Sequence, residues 1–323
     1  MIEPDKQNMW GDSESEEDVV IRAMEMPLDV KIAKAIDFLK YWALRRGCLY
    51  VANSGGKDSG VIMHLAKLSG IEYRSFYSNT TIDPPELVRF LKSNYPETIW
   101  LTQPKPLLVK ALEKSFGPPT RESRWCCRMY KENSIECPCK MIGIRSEESK
   151  RRKAIWRQVV PDRNDKSKII LCPILYWTEK DVWNFHEQEN IPYCELYDDP
   201  KLSRLGCVGC PMASDKDRLY SFKKWPKYAA NWERMVKTCW RTWVNVPRDR
   251  LVWKKPYNGI SQRIKPQPGD QEEVRLVDGV EVKGFLTRQR YYRGFDTEEA
   301  FWEWWIYHKT TPTEPCQYEN LFS

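Results

Sequence analysis

The sequence predicts an α/β fold with a doubly wound parallel sheet, followed by a helical C-terminal extension rich in Trp and basic residues. Short apolar runs alternate with amphipathic segments, and a glycine-rich loop follows the first run. Trp, Lys and Arg become frequent from residue 218 onward. Alternating strands and helices are typical of parallel sheets covered by helices on both faces. We therefore expect a flexible acidic leader at 1–27, a sheet domain at 28–215 and the extension at 216–323.

The first predicted strand, 48–52, is an apolar run between two helical patterns. The helix before it spans 29–46 and ends at Gly47, and the helix after it spans 58–68. Thr178 and Asp181 predict the capping box of a later helix. The basic segment 150–168 is expected to be a mobile loop over the edge of the sheet. The other predicted elements are the strands 71–77, 98–101, 141–145 and 169–173 and the helix 87–93.

The composition excludes several classes of protein. With 41% hydrophobic and 30% charged residues, the chain is expected to be globular rather than disordered. No apolar run is long enough to span a bilayer and the acidic N-terminus is unlike a secretory signal, so we expect a soluble, cytoplasmic protein with no membrane partner. Eleven cysteines then suggest metal or redox chemistry rather than disulfides. The net charge of +7 fits an anionic partner.

The glycine-rich loop is Ser54-Gly55-Gly56-Lys57-Asp58-Ser59. It follows the first strand and opens a helix, which is where ligands of open α/β sheets bind. The glycines let the backbone approach an anion, the helix N-terminus offers N–H groups, and the loop adds hydroxyls and the Lys57 ammonium. The spacing differs from that of a Walker loop. The sequence therefore predicts a phosphate-binding loop of another kind.

Six ordered segments carry a family resemblance. Together they resemble the phosphoadenylyl-sulfate (PAPS) reductase family, in the iron–sulfur branch of the PP-loop ATP pyrophosphatase superfamily. The implied fold is that of the adenine nucleotide alpha hydrolase-like proteins. Six motifs in order are more specific than any one alone. The segments are 54–59, 78–86, 125–128, 143–152, 173–183 and 206–211.

The resemblance implies an enzyme that binds ATP or an adenylyl sulfate-type nucleotide over the loop. Lys57, Asp58 and Arg145 are the expected catalytic residues, and guanidinium groups suit tetrahedral oxyanions. Asp58 could hold Mg²⁺ or simply stabilise the helix N-terminus. The expected nucleotide-binding residues are Ser54, Gly55, Gly56, Lys57, Asp58, Ser59, Ser78, Asn79, Thr80, Arg145 and Arg152.

Four cysteines form the expected metal site: Cys126, Cys127, Cys207 and Cys210. Thiolate ligands suit zinc or an iron–sulfur cluster, and the resemblance implies a [4Fe–4S] cluster, with zinc as the alternative. Three other cysteines are expected to lie outside this set, namely Cys137, Cys139 and Cys316.

Three functions compete at this point. A complete PP-loop favours adenylation of an acceptor by ATP followed by sulfur transfer, as in thiolation enzymes. The cysteine pairs favour reduction of adenylyl sulfate or PAPS to sulfite, although Cys316 lacks the Gly-Leu-His that follows the nucleophilic cysteine of those reductases. The Trp- and Lys-rich C-terminal part would fit a module that binds DNA or tRNA, or a helical cap with solvated lysines. The acceptor, the reductant or sulfur donor and the oligomeric state are left open.

Overall fold

The structure is a computed structural model that describes residues 16–113, 117–121, 123–132, 135–162, 165–202, 204–244, 271–277, 280–286, 295 and 297–307. The helices are α1 Glu16–Glu25, α2 Leu28–Arg46, α3 Lys57–Ser69, α4 Pro85–Asn94, α5 Leu107–Ala111, α6 Trp125–Cys127, α7 Lys150–Ile155, α8 Glu179–Gln188, α9 Asp215–Lys224, α10 Pro226–Val244 and α11 Glu298–Tyr307. The strands are β1 Leu49–Ala52, β2 Tyr73–Asn79, β3 Ile99–Thr102, β4 Cys139–Met141, β5 Val159–Pro161, β6 Ile169–Leu171, β7 Gln271–Val277 and β8 Val280–Leu286.

The chain forms two compact units. The first contains residues 1–106 and 126–208, and the second contains 107–125 and 209–323. Within the part of the chain that the structure describes, no helix is both long and apolar enough to cross a membrane.

A six-stranded sheet forms the centre of the first unit, in the order β3-β2-β1-β4-β6-β5. All neighbouring strands are parallel except β5, which runs antiparallel to β6. The prediction of a doubly wound parallel sheet is confirmed. The strand order reverses at β1, which pairs with β2 on one side and with β4 on the other. The carboxyl end of β1 is therefore the topological switch point, where open α/β sheets bind ligands.

Apolar side chains of β1 and α3 fix the position of this edge. Leu49 and Val51 of β1 are fully buried, and so are Val61, Ile62 and Leu65 of α3. Burying one such side chain stabilises a fold by roughly 1.5–3 kcal/mol. The first turn of α3 is consequently held directly after β1.

The expectation of a mobile loop at 150–168 is wrong for much of that segment. Residues 150–155 form α7, whose first turn is capped by the Ser149 hydroxyl, which accepts a hydrogen bond from the Arg152 N–H at 3.1 Å. Residues 159–161 form β5, in which Val160 pairs with Ile170 of β6. The basic composition of the segment suggested a loop, but Ser149 is a suitable helix N-cap and the β-branched residues Val159 and Val160 favour a strand.

In the second unit, α9, α10 and α11 enclose an aromatic core. Trp232 and Trp305 are stacked with ring centroids 4.7 Å apart, and Trp302 stacks on Trp305 at 5.5 Å. All three rings are buried, as is Trp225. The helical extension is thus present, and β7 and β8 add an antiparallel pair that the sequence did not predict. Because they are buried, these rings cannot serve as exposed platforms for bases.

The capping box at α8 is confirmed and extended by a buried ion pair. The Thr178 hydroxyl accepts from the Asp181 N–H at 3.1 Å, and the Thr178 N–H donates to Asp181 Oδ2 at 2.7 Å. The same Oδ2 accepts a hydrogen bond from Lys31 Nζ of α2 at 2.5 Å. Lys31 also donates to the Met24 carbonyl at 2.6 Å. One carboxylate therefore starts α8 and ties it to α2.

Replacing Lys31 with Met is expected to lower the free energy of unfolding by about 3 kcal/mol, because it leaves the Asp181 carboxylate largely buried without its cation. Urea unfolding of the purified chain measures this. Lys40→Met, an exposed change on the same helix, is the control and should have little effect. Equal losses in the two variants would contradict the role of the ion pair.

The same pair predicts a dependence on pH. Burial alone would raise the pKa of Asp181. The hydrogen bonds from Lys31 and Thr178 together lower it by more than burial raises it, so the pKa of Asp181 lies below its ordinary value. The carboxylate thus stabilises the fold above pH of about 4, and this contribution is lost as the pH falls through the lowered pKa. The stability gap between wild type and Asp181→Asn should be constant at neutral pH and should shrink in acid.

Candidate functional site

Asn53, directly after β1, organises the phosphate-binding loop. Its side-chain oxygen accepts from the Gly55 N–H at 3.1 Å, and its amide nitrogen donates to Thr98 Oγ1 at 3.3 Å. The buried Ser59 hydroxyl donates to the Gly56 carbonyl at 2.8 Å and accepts from Ser54 at 3.2 Å. These hydrogen bonds fix the conformation of the loop. Ser54 is the exposed member of the set.

The two loop glycines serve different purposes. Gly55 has φ +73°, and a Cβ there would meet Leu87 Cδ1 at 2.6 Å, so packing against α4 requires glycine. Gly56 has an ordinary φ of −81°, and a Cβ there would face the Tyr197 hydroxyl at 3.2 Å and Ser54 Oγ at 3.3 Å. Of the two glycines, only Gly56 thus faces hydroxyl groups, at a position that a phosphate oxygen could approach.

Asp58 brings the two expected cations together. Its Oδ1 accepts from Arg145 Nε at 2.7 Å, and its Oδ2 lies 3.3 Å from Lys57 Nζ. A Cβ at Gly143, just after β4, would lie only 3.0 Å from Asp58 Cβ, so this glycine permits the close approach. The Lys57 ammonium and the Arg145 guanidinium therefore share one carboxylate at the switch point.

Arg145 is 3% exposed and has a second carboxylate partner. Its Nη1 donates to Glu147 Oε2 at 2.7 Å, and the same oxygen accepts from the Glu179 N–H at 2.6 Å. Burial lowers the pKa of Arg145, but Asp58 and the two glutamates that follow raise it by more, so the side chain stays charged. The arginine expected to bind an oxyanion is thus held in a fixed orientation by acids.

Arg152 lies on α7, half-buried, in an ion pair with Glu148. At the end of β2, Asn79 Nδ2 donates to Thr102 Oγ1 at 3.4 Å. Thr80 is buried and its hydroxyl donates to Asp83 Oδ2 at 2.7 Å. Thr80 therefore shapes the turn after β2, whereas Ser78 and Asn79 are partly exposed near the carboxyl edge of the sheet.

The predicted metal ligands occupy two short segments. Cys126 and Cys127 lie on the turn α6, and Cys207 Sγ donates to Thr80 Oγ1 at 3.5 Å. Cys210 precedes α9. Among the described residues, no three His, Cys, Asp or Glu side chains form a group that could hold a metal ion. The set of four ligands therefore stays a prediction.

The remaining cysteines are packing residues where the structure describes them. Cys137 and Cys139 are buried, and burial raises the pKa of Cys139 to about 12, which keeps it a neutral thiol. Burial raises the pKa of Cys172 to the same level. Ten cysteines lie within the described residues and form no disulfide. Cys316 lies outside them.

Sequence reasoning missed two residues that contact the loop. The Tyr197 hydroxyl accepts a hydrogen bond from the Lys57 N–H at 2.9 Å, across 140 positions of chain. The buried His186 has Nε2 2.9 Å from the Lys57 carbonyl oxygen. His186 lies on the buried face of α8 with Val182 and Phe185, a helical pattern that indicates burial but not the contact with Lys57.

Comparison with known proteins identifies the family. Residues 48–213, just over half of the chain, match the family described as the phosphoadenosine phosphosulfate reductase domain. The chain belongs to this family. The resemblance of the six sequence segments to the PAPS reductase family is thereby confirmed.

Relatives of this domain occur in archaea and bacteria. An uncharacterised protein of Methanocaldococcus jannaschii is 28% identical over 68% of this chain and 48% of its own length. The adenosine 5'-phosphosulfate reductase of Oceanobacillus iheyensis is 30% identical over 39% of this chain and 54% of the relative. The chain thus spans about half the length of these curated relatives. The PAPS reductase of Candida auris, a solved structure, is 16% identical with a TM-score of 0.42, over 61% of this chain and 97% of its own.

The two loop glycines yield a paired prediction. Gly56→Val should weaken binding of ATP by at least tenfold, because the new side chain would lie beside the Tyr197 and Ser54 hydroxyls and block the approach of a phosphate to the backbone. Gly55→Ala should instead lower the melting temperature, since its Cβ would clash with α4. Calorimetric titration and thermal unfolding separate the two effects. Undiminished affinity in Gly56→Val would place the phosphate elsewhere.

Proposed function

We propose that this chain is an enzyme that binds ATP or a related adenylyl nucleotide at residues 54–59, adenylates an acceptor and then transfers sulfur to it. The single observation that carries the proposal is the loop itself. It lies at the switch point of the sheet, opens α3, and sets the cations of Lys57 and Arg145 around Asp58. Helix N-termini with nearby cations suit the developing charge on phosphate oxygens.

In the adenylation step, an oxygen of the acceptor attacks the α-phosphorus of ATP. The bond from that phosphorus to the oxygen bridging to the β-phosphate breaks, and pyrophosphate leaves with the electron pair. The loop N–H groups and the Lys57 ammonium would stabilise the leaving charge. The acceptor oxygen that carries AMP is then a leaving group. A sulfide-level sulfur nucleophile attacks the acceptor atom bonded to that oxygen, the bond between them breaks, and AMP leaves with the oxygen and the electron pair.

The pairing of Asp58 bears on the role of magnesium. Both of its carboxylate oxygens already contact protein cations, one from Arg145 and one from Lys57. We therefore assign Asp58 to positioning those cations. A Mg²⁺ ion that arrives with ATP would be held chiefly by phosphate oxygens and water, as is usual for this cation.

Reduction of adenylyl sulfate or PAPS to sulfite is the second candidate. Several relatives carry the name adenosine 5'-phosphosulfate reductase, which favours a sulfonucleotide substrate. The same loop and cations would suit that ligand as well. Product analysis distinguishes the two candidates, since adenylation releases pyrophosphate from ATP and reduction releases sulfite from a sulfonucleotide. Nucleic acid, whether DNA or tRNA, stays a proposed acceptor class.

Removal of the loop ammonium tests the adenylation proposal. Lys57→Met is expected to lower kcat/KM for pyrophosphate release from ATP by about 10²–10³, the usual effect of removing one group that stabilises transition-state charge. Lys67→Met, an exposed change at the other end of α3, is the matched control and should keep wild-type activity. Wild-type rates in Lys57→Met would contradict the assignment.

The iron–sulfur cluster implied by the resemblance is tested separately, because no step above depends on it. If Cys126, Cys127, Cys207 and Cys210 hold one cluster, each single serine variant should lose iron and sulfide from anaerobically purified protein. Cys139→Ser is the control and should keep both. Zinc without iron would favour the alternative metal, and absence of both metals would refute the ligand set.

A further inference from the structure

The side chain of Tyr197 contacts the backbone of the phosphate-binding loop. The Tyr197 oxygen accepts a hydrogen bond of 2.9 Å from the N–H of Lys57, the first residue of α3. That N–H belongs to the first turn of the helix, whose amides have no partner within the helix and are the donors that bind anions. The phenol oxygen therefore takes the place that a phosphate oxygen would take at this amide.

The space in front of Gly56 gives a second, independent sign of the same overlap. A Cβ built on Gly56 would lie 3.2 Å from the Tyr197 oxygen. Because Gly56 has no side chain, the Tyr197 hydroxyl can lie close to its backbone at the surface of the loop. A phosphate that approached the Gly56 backbone would meet the tyrosine hydroxyl first.

Tyr197 is held in this position from three sides. Its ring meets Trp183 edge-on with centroids 5.3 Å apart, and its N–H donates to the Cys194 carbonyl at 3.0 Å. The Lys57 ammonium lies 5.6 Å from the centre of its ring. The same lysine therefore contacts Tyr197 through both its backbone amide and its side chain.

The phenol is a neutral partner for the amide. Burial raises the pKa of Tyr197 above its ordinary value, so the hydroxyl keeps its proton across the physiological range. A hydrogen bond from an amide to an ionised phosphate oxygen is about twice as strong as one to a neutral oxygen. A bound phosphate should therefore displace the phenol from the Lys57 N–H.

We propose that Tyr197 is a positioning residue that occupies the Lys57 amide when the loop is empty and must release it when a nucleotide phosphate binds. The inference rests on the proposed binding of an adenylyl nucleotide at residues 54–59. It assigns to Tyr197 a role in setting affinity: its hydroxyl keeps the loop preformed and competes with the phosphate for one donor.

The test compares Tyr197→Phe with wild type by calorimetric titration of pyrophosphate, ATP and adenosine. Loss of the hydroxyl leaves the Lys57 N–H without its protein acceptor, so a phosphate gains that bond without breaking one. We expect pyrophosphate and ATP to bind about two- to tenfold more tightly, the range of one net hydrogen bond. Adenosine, which has no phosphate, should bind with unchanged affinity.

Tyr193→Phe is the matched control. Its ring also meets Trp183 edge-on at 5.3 Å, but its hydroxyl contacts Asp198 instead of the loop. This variant should bind all three ligands as wild type does. Unchanged or weaker binding of pyrophosphate by a folded Tyr197→Phe would overturn the inference and leave the proposed function intact. Failure of wild type itself to bind ATP or pyrophosphate would refute the proposed function, and the inference with it.

Discussion

The ion pair between Asp58 and Arg145 is the interaction on which the rest of the site depends. A guanidinium that is 3% exposed is costly to bury unless it is paired and hydrogen-bonded. Asp58 supplies that partner from the first turn of α3, while Arg145 stands beyond β4, so the pair joins the two sides of the switch point. Glu147 continues the network to the start of α8 through the Glu179 N–H. One network, from Asp58 through Arg145 and Glu147 to the start of α8, thus links the loop to the segment after β4 and to α8.

This arrangement supplies the loop with partners from the protein itself. The N–H groups of Gly55, Gly56 and Lys57 donate to Asn53, Ser54 and Tyr197, respectively, and the Lys57 ammonium lies beside Asp58. A preformed site lowers the entropy lost on binding, at the cost of bonds that the ligand must replace. Under the proposed function, a nucleotide phosphate would exchange partners with the protein groups at the loop.

The second unit has an aromatic core that also contains a buried arginine. Its large aromatic rings are packed against one another, and the fully buried Arg218 lies 5.8 Å from the centre of the Trp305 ring. Burial lowers the pKa of Arg218, and the hydrogen bond to Asp215 opposes that change. Several Trp side chains of this part of the chain, where it is described, form its core, whereas Arg218 is the one described basic residue that is buried there. The same composition had also suggested a nucleic-acid surface, because composition alone does not say which rings are buried.

The sequence by itself determined the features that depend on neighbouring residues. These are the alternation of strands and helices, the loop after β1, the Thr178–Asp181 capping box and the ordered motifs of the family, all of which are local patterns. The tertiary structure alone decided the pairing of Arg145 with Asp58, 87 positions away, and of Tyr197 with Lys57, 140 positions away. Such contacts follow from strand order and from which side chains are buried, and no local spacing encodes them. For the same reason the sequence indicated the residues of the loop and Arg145, but neither Tyr197 and His186 as their neighbours nor the partners of the Lys57 amide and ammonium.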